Sequence, residues 1–188
     1  TSGGGSGKTL SSSDVSAKGV KSSADILISG GEITVSALDD SVHSNGSVAI
    51  TGGTLTLSSG DDGVHADSSL IVSDGTITIT KSYEGLEGQN ITVSGGKISV
   101  TASDDGLNAA GGNDSSSLGG RPGQNGFNAD ANCFIAISGG EIYVNASGDG
   151  VDSNGNVTVS GGTTIVEGPT SDGDGALDYD GTATITGG

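Results

Sequence analysis

Acidic side chains recur at one position of a repeating segment, and they are the residues of this chain best suited to chemistry. Asp-Asp pairs occupy 39–40, 61–62 and 104–105, and the single acids Glu84 and Asp149 fall at the same phase. Carboxylates ~5 Å apart repel each other by about 1 kcal/mol in water, and by more where water is excluded. Calcium relieves such repulsion, because it accepts six to eight oxygen ligands in irregular geometry. The pattern therefore predicts Ca²⁺ sites.

Two groups of acids are the predicted calcium ligands, and Glu84 lies between them in the repeat. The first group is Asp104, Asp105, Asp149 and Asp152, with Asp172, Asp174 and Asp178 close by; the second is Asp39, Asp40, Asp61 and Asp62. A metal-free alternative stays open, because Asp followed by Gly makes a good turn in which the carboxylate accepts a backbone N–H. His43 and His65 occupy another equivalent position of the repeat. Two imidazoles without a third soft ligand make a poor zinc site, so we expect these histidines to pack in the turns instead.

A 22-residue repeat must position these acids. The second glycine of a Gly-Gly or Asp-Gly step marks each copy, and successive copies are 22, 22, 21, 44, 22 and 26 residues apart. These glycines are Gly31, Gly53, Gly75, Gly96, Gly140, Gly162 and Gly188. A fixed period of 20 to 50 residues indicates a solenoid whose units stack on their neighbours.

Within one copy, 90–101 reads NITVSGGKISVT, which is two alternating aliphatic strands joined by a glycine corner. A third short strand follows each acidic turn and carries one aliphatic residue in phase, from Val20 and Val42 to Val151 and Leu177. Three strands per 22 residues predict an all-β, right-handed parallel β-helix of roughly seven rungs. A calcium β-roll is discounted, since it needs nine-residue repeats.

We expect one domain over 17–188, preceded by a Gly/Ser-rich segment or incomplete first rung at 1–16. The doubled interval lacks alternating aliphatic residues at 109–132, which predicts a loop inserted in one rung. A shorter expansion at 168–175 lies at the same corner of the next rung. The chain looks like a mature or trimmed fragment, and its last rung is incomplete at Gly188.

The amino-acid composition limits the classes of binding partner. A net charge of −17 argues against nucleic acid and anionic membranes and favours cations. No apolar run approaches the ~20 residues of a membrane span. Cys133 is alone, so it forms no intrachain disulfide and is expected to pack in the core.

Several segments together resemble a known family. They are DDGVHAD (61–67), KSYEGLEG (81–88), DDGLNAAGGND (104–114), GRPGQN (120–125), GDGVDSNG (148–155) and GALDYDG (175–181). The chain is similar in these segments to the clostridial β-helix carbohydrate-binding proteins, which resemble pectate lyases in fold. This resemblance implies a secreted or cell-surface bacterial protein that holds Ca²⁺ and binds cellulose and acidic sugars such as polygalacturonate.

The predicted function is therefore calcium-dependent binding of plant cell-wall polysaccharide, without catalysis. Sugar contacts are expected from the residues able to stack on or hydrogen-bond to a pyranose, which are Tyr83, Tyr143, Tyr179, Lys81, Arg121 and Asn108. Two alternatives remain. A pectate-lyase-like enzyme would need Lys or Arg as the base that removes a proton by β-elimination, and no motif places Lys81 or Lys21 in that role. The other alternative is a surface adhesin or structural solenoid.

Overall fold

The computed structural model describes residues 17–110 and 129–188, and these residues form strands and turns without a helix. The predicted parallel β-helix is confirmed, with about seven turns and rungs about 22 residues apart. The strands are β1 (Val20–Ser22), β2 (Ile26–Ser36), β3 (Val42–Ser44), β4 (Val48–Ser58), β5 (Val64–Ser82), β6 (Leu86–Ala102), β7 (Leu107–Ala109), β8 (Phe134–Ala146), β9 (Val151–Ser153), β10 (Asn156–Glu167), β11 (Asp178–Tyr179) and β12 (Ala183–Gly187).

All strand pairs are parallel, and their register places equivalent residues of successive rungs beside each other. The short strands and the first residues of β5 and β6 pair in the order β1-β3-β5-β6-β7-β9-β11. Their central residues form one continuous column, as the repeat predicts: Lys21, His43, His65, Glu87, Asn108, Asp152 and Asp178. We call this set the turn-strand column.

The glycine corners bend the long strands without interrupting them. In β2 the chain passes through Gly30 and Gly31, and Gly31 has φ of +91°. In each copy of the repeat, the glycine that ends the Gly-Gly or Asp-Gly step has a positive φ, between +84° and +128°. A side chain is strained in this region, which explains why glycine recurs there.

The core consists of aliphatic columns inside the cylinder. Ile50, Leu55, Leu70 and Ile77 are fully buried, and equivalent residues from later rungs continue the same stacks. Cys133 is also buried, as expected. An alternating strand pattern therefore suffices to build this core, because one face of every strand points inward.

The strands on either side of the doubled interval stack as neighbouring rungs. Strand β7 ends at Ala109, and β8 begins at Phe134 and pairs directly with β6. Residues 111–128 lie outside the described residues, as does the predicted segment 1–16. A search of the described residues finds no helix long and apolar enough to cross a membrane.

Candidate metal and carbohydrate site

The acidic turns of successive rungs stack into a ladder of carboxylates. In this ladder, a carboxylate of one rung accepts a hydrogen bond from the backbone of the next. Asp40 Oδ1 accepts a hydrogen bond from the backbone N–H of Asp62 at 3.1 Å, and Asp62 Oδ1 accepts one from Glu84 N–H at 3.3 Å. Further along, Asp105 Oδ1 accepts from Asp149 N–H at 2.7 Å, and Asp149 Oδ1 accepts from Gly175 N–H. One oxygen of each of these four aspartates therefore stabilises the next rung, as the turn alternative expects.

The first half of this ladder is neutralised by protein cations. Lys18 Nζ lies 2.6 Å from Asp40 Oδ2 and 3.1 Å from Asp39 Oδ2, and all three side chains are nearly inaccessible. His43 Nδ1 lies 2.7 Å from the same Asp40 oxygen. Burial would raise the pKa of Asp40, but hydrogen bonds from His43 and Lys18 outweigh it and lower that pKa to about 2. Three of the four acids in the second predicted calcium group, Asp39, Asp40 and Asp61, lie together, and Asp62 groups with His65 instead. Lys18 would compete with a metal among the three.

His65 provides the next positive charge. Its Nδ1 lies 2.5 Å from Glu87 Oε2 and 3.5 Å from Asp62 Oδ2, and its Nε2 lies 3.0 Å from Asp67 Oδ1. Burial opposes a charge on this ring, but the hydrogen bonds to Asp62 and Glu87 outweigh it and raise the pKa of His65 to about 11. The imidazole is therefore protonated at neutral pH and balances the carboxylates around it.

The second half of the ladder has a different electrostatic environment. One oxygen from each of Asp105, Asp149 and Asp152 lies within 4.8 Å of the other two. Among the ion pairs of residues 17–110 and 129–188, none reaches these three carboxylates. Burial and the charge of Asp104 raise the pKa of Asp105 to about 7, and burial and the charge of Asp149 raise that of Asp152 to about 7. We call these three residues the aspartate cluster.

A buried amide adjoins the aspartate cluster. Asn108 is 1% exposed and pairs in register with Asp152 on one side and Glu87 on the other. Its Oδ1 has no hydrogen-bond partner among the described residues. Buried amide oxygens usually have one, so this atom marks a place that a cation could complete. Asn108 was predicted to contact sugar, but its burial keeps the side chain away from any polysaccharide.

Other predicted ligands surround the aspartate cluster. Glu84, Asp104 and Asp105 form a second compact group, so Asp105 belongs to both groups. Asp178 continues the turn-strand column beside Asp152. Asp174 is exposed on the neighbouring loop and accepts a hydrogen bond from Ser171 Oγ. The structure thus brings the first predicted group together, with Asp174 at its exposed side.

The three tyrosines lie in different columns. Tyr83 is half-buried in the acidic turn between Asp61 and Asp104. Tyr179 is exposed on β11, next to Asp178. Tyr143 is 36% exposed on the outer face of β8, and its hydroxyl lies 2.5 Å from Glu167 Oε2. The tyrosines therefore do not build a single stacking surface.

Tyr143 has neighbours suited to a sugar. In its outward column it lies between Ser99 and the exposed Ile165. An open groove along this face is lined by polar and apolar residues, which are Lys97, Ile98, Ser99, Glu141, Ile142, Tyr143, Thr163 and Ile165. An aromatic ring flanked by hydrogen-bonding side chains is a usual way to bind a pyranose.

The cationic candidates contribute little to the acidic corner. Lys81 and Lys21 are exposed, and neither forms an ion pair with a described residue. Arg121 lies outside the described residues. The lysine that neutralises the first acids of the ladder, Asp39 and Asp40, is Lys18. The periodicity did not single it out, because it lies three residues before the turn-strand column.

Comparisons with known proteins give one finding. Residues 1–63 of the 188 match the model of a family described as carbohydrate-binding domain-containing protein. This match supports carbohydrate binding, and within it the structure describes the first two rungs with Lys18 and the acids from Asp39 to Asp62. Comparisons with curated proteins and with solved structures found no match.

Proposed function

We propose that this protein is a non-catalytic, calcium-dependent carbohydrate-binding protein of the bacterial surface or exterior that recognises acidic polysaccharide. The observation that supports this proposal is the aspartate cluster, in which three acids converge without a described protein cation. It adjoins Asn108, whose Oδ1 has no partner among the described residues. Ca²⁺ suits this set, because its ligands are carboxylate and carbonyl-type oxygens at flexible distances. The family match at residues 1–63 supports the sugar partner.

Calcium explains how an acidic chain binds an acidic sugar. With a net charge of −17, the protein repels polygalacturonate unless a cation lies between them. Asp149 and Asp152 are only partly buried, so the aspartate cluster opens to solvent on one side. A calcium ion held there keeps coordination positions for a uronate carboxylate, and the exposed Asp174 is near enough for its charge to act on Asp149.

Calcium titration calorimetry followed by polygalacturonate tests this mechanism. Asp152→Asn is the informative variant, because Asn108 occupies the same column and shows that asparagine fits. We expect at least a tenfold loss of calcium affinity and a parallel loss of polygalacturonate binding. Asp74→Asn, which removes an exposed acid at a glycine corner, is the matched control. Polygalacturonate binding that survives chelation by EDTA would contradict the proposal.

Tyr143 supports a second surface, for neutral glucans such as cellulose. Its ring is exposed and lies beside Ile165, with Lys97 and Glu141 in the same groove. We expect Tyr143→Ala to lower retention on cellulose, whereas Tyr143→Phe keeps the ring and most of the binding. Retention independent of calcium would separate this surface from the aspartate cluster. Equal retention of all three proteins would exclude Tyr143 as a sugar contact.

A further inference from the structure

The two histidines of the turn-strand column form a site separate from the aspartate cluster. His43 and His65 lie in consecutive rungs with ring centroids 4.7 Å apart and planes inclined by 7°. Both side chains are almost fully buried. The two rings are therefore stacked almost parallel to each other.

Carboxylates hold the same nitrogen of both rings. His43 Nδ1 lies 2.7 Å from Asp40 Oδ2, and His65 Nδ1 lies 2.5 Å from Glu87 Oε2. A carboxylate that accepts the Nδ1 proton fixes the ring and leaves Nε2 as the ligand atom, an arrangement typical of metal-binding histidines. Nε2 of His65 therefore faces the side of its ring away from Glu87.

A third ligand lies on that side. Asp67 Oδ1 is 3.0 Å from His65 Nε2, and Asn45 Nδ2 donates a hydrogen bond to Asp67 Oδ2 at 3.0 Å. One ligand atom from each of His43, His65 and Asp67 lies within 4.8 Å of the other two. Asp67 is half-buried and Asn45 is exposed, so this side opens to solvent.

We propose that His43, His65 and Asp67 bind one divalent transition-metal ion of the Zn²⁺ class. Imidazole nitrogen with carboxylate oxygen suits zinc, cobalt, nickel or copper, whereas calcium prefers an all-oxygen set. A water molecule completes the coordination, as in sites with three protein ligands. Sequence reasoning rejected zinc for lack of a third ligand, and Asp67 supplies it two residues after His65.

Metal binding requires a small rearrangement and the loss of a proton. With Zn–N bonds of ~2.0–2.1 Å, one ion spans at most about 4.2 Å between two nitrogens, so the rings must tilt towards each other. Such a tilt is a side-chain rotation and leaves the strands in place. The proton of His65 Nε2 passes to solvent as the metal takes its position.

Zinc titration of the calcium-saturated chain tests the proposal, because excess calcium fills any oxygen sites first. Isothermal calorimetry gives affinity and stoichiometry, and Co²⁺ gives visible absorption bands that report nitrogen coordination. The test variants are His43→Asn, which copies the residue found at Asn108 in the same column, and Asp67→Asn. Asp74→Asn is the matched control for removal of one negative charge.

We expect one zinc ion per chain in wild type and in Asp74→Asn, and at least a tenfold weaker affinity in both test variants. The Co²⁺ bands should weaken in the same two variants. Absence of zinc binding in excess calcium, or equal affinity in all four proteins, would overturn the proposal and leave the histidines as packing residues. If His43→Asn fails to fold by circular dichroism, the half-buried Asp67→Asn decides. These outcomes do not depend on carbohydrate binding.

Discussion

At the scale of single residues, Lys18 sets the charge state of the first two rungs. Its ammonium group lies against Asp39 and Asp40, and its side chain is 5% exposed. Burial opposes the charge of Lys18, but the hydrogen bonds to Asp40 and Asp39 and the charges of these two acids together outweigh it and raise the pKa of the lysine. The pair is thus fully ionised at neutral pH, and removal of one partner leaves buried charge uncompensated.

Lys18→Met should therefore destabilise the fold by about 3 kcal/mol, measured by urea unfolding at pH 7. Lys97→Met is the control, because the ion pair of Lys97 with Glu141 is some 70% exposed on both sides and should contribute less than about 1 kcal/mol. The lowered pKa of Asp40 gives a second readout. Its contribution is present above pH ~4 and disappears as the pH falls towards 2, so the deficit of Lys18→Met should shrink over that range. A constant deficit would contradict this account.

The sequence predicted which residues share a column better than it predicted what each side chain contacts. Lys21 pairs with His43 in register and so begins the turn-strand column. Yet Lys21 is exposed while Lys18 reaches the acids. Register follows from a repeat, whereas contact depends on rotamers and neighbouring burial, which periodicity does not encode. The burial of Asn108 escaped prediction for the same reason.

At the scale of elements, the glycine corner combines two constraints that substitutions can separate. Gly31 has φ of +91° with open space where a Cβ would lie, whereas Gly30 has open space without a positive φ. Gly53 has φ of +99°, and a Cβ there would lie 3.0 Å from backbone atoms of Gly30 and Gly31. Backbone conformation and stacking between rungs are therefore distinct causes of glycine at this corner.

Three alanine variants measure these causes by denaturant unfolding. Gly30→Ala should be neutral or slightly stabilising, because alanine restricts the unfolded chain. Gly31→Ala should cost about 1–2 kcal/mol through backbone strain. Gly53→Ala should cost at least about 1 kcal/mol more, since the added methyl group crowds the preceding rung. Equal effects of Gly31→Ala and Gly53→Ala would show that stacking contributes nothing.

The strands and glycine corners are the elements that the repeat predicts well. The predicted stacking of parallel strands and the glycine corners are confirmed, because both follow from local pattern and fixed spacing. The pairing of β8 with β6 agrees with an insertion in the doubled interval. The main difference is that the two predicted long strands of a rung are one bent strand, such as β2 across Gly30 and Gly31. A glycine with positive φ turns the chain while the flanking hydrogen bonds continue.

At the scale of the whole molecule, the acidic ladder divides into two electrostatic halves. Lys18, His43 and His65 lie along the first half, whereas the aspartate cluster in the second half has no ion pair with a described lysine, arginine or histidine. The same turn geometry therefore serves two purposes. The first half is balanced within the protein, and the second half is left to an external cation in the proposed function.

This division predicts an unusual pH dependence for the chelated protein. The folded-state pKa values of Asp105 and Asp152 are raised to about 7, above the ordinary value of 3.8. Between these limits the folded state binds more protons than the unfolded state, so stability must fall as the pH rises from 4 to 7. After allowance for solvent screening, we expect a loss of about 2 kcal/mol, measured by urea unfolding in EDTA.

Calcium should reverse this loss, because it replaces the protons that hold the aspartate cluster together at low pH. Stabilisation by millimolar Ca²⁺ should be small at pH 5 and large at pH 7.5, since protons compete with the metal only at the lower pH. The double variant Asp105→Asn, Asp152→Asn removes both acids. Its stability should depend little on pH, and calcium should not stabilise it. Chelated protein that gains stability from pH 5 to 7, or calcium stabilisation equal at both pH values, would contradict the assignment of the aspartate cluster as the metal site.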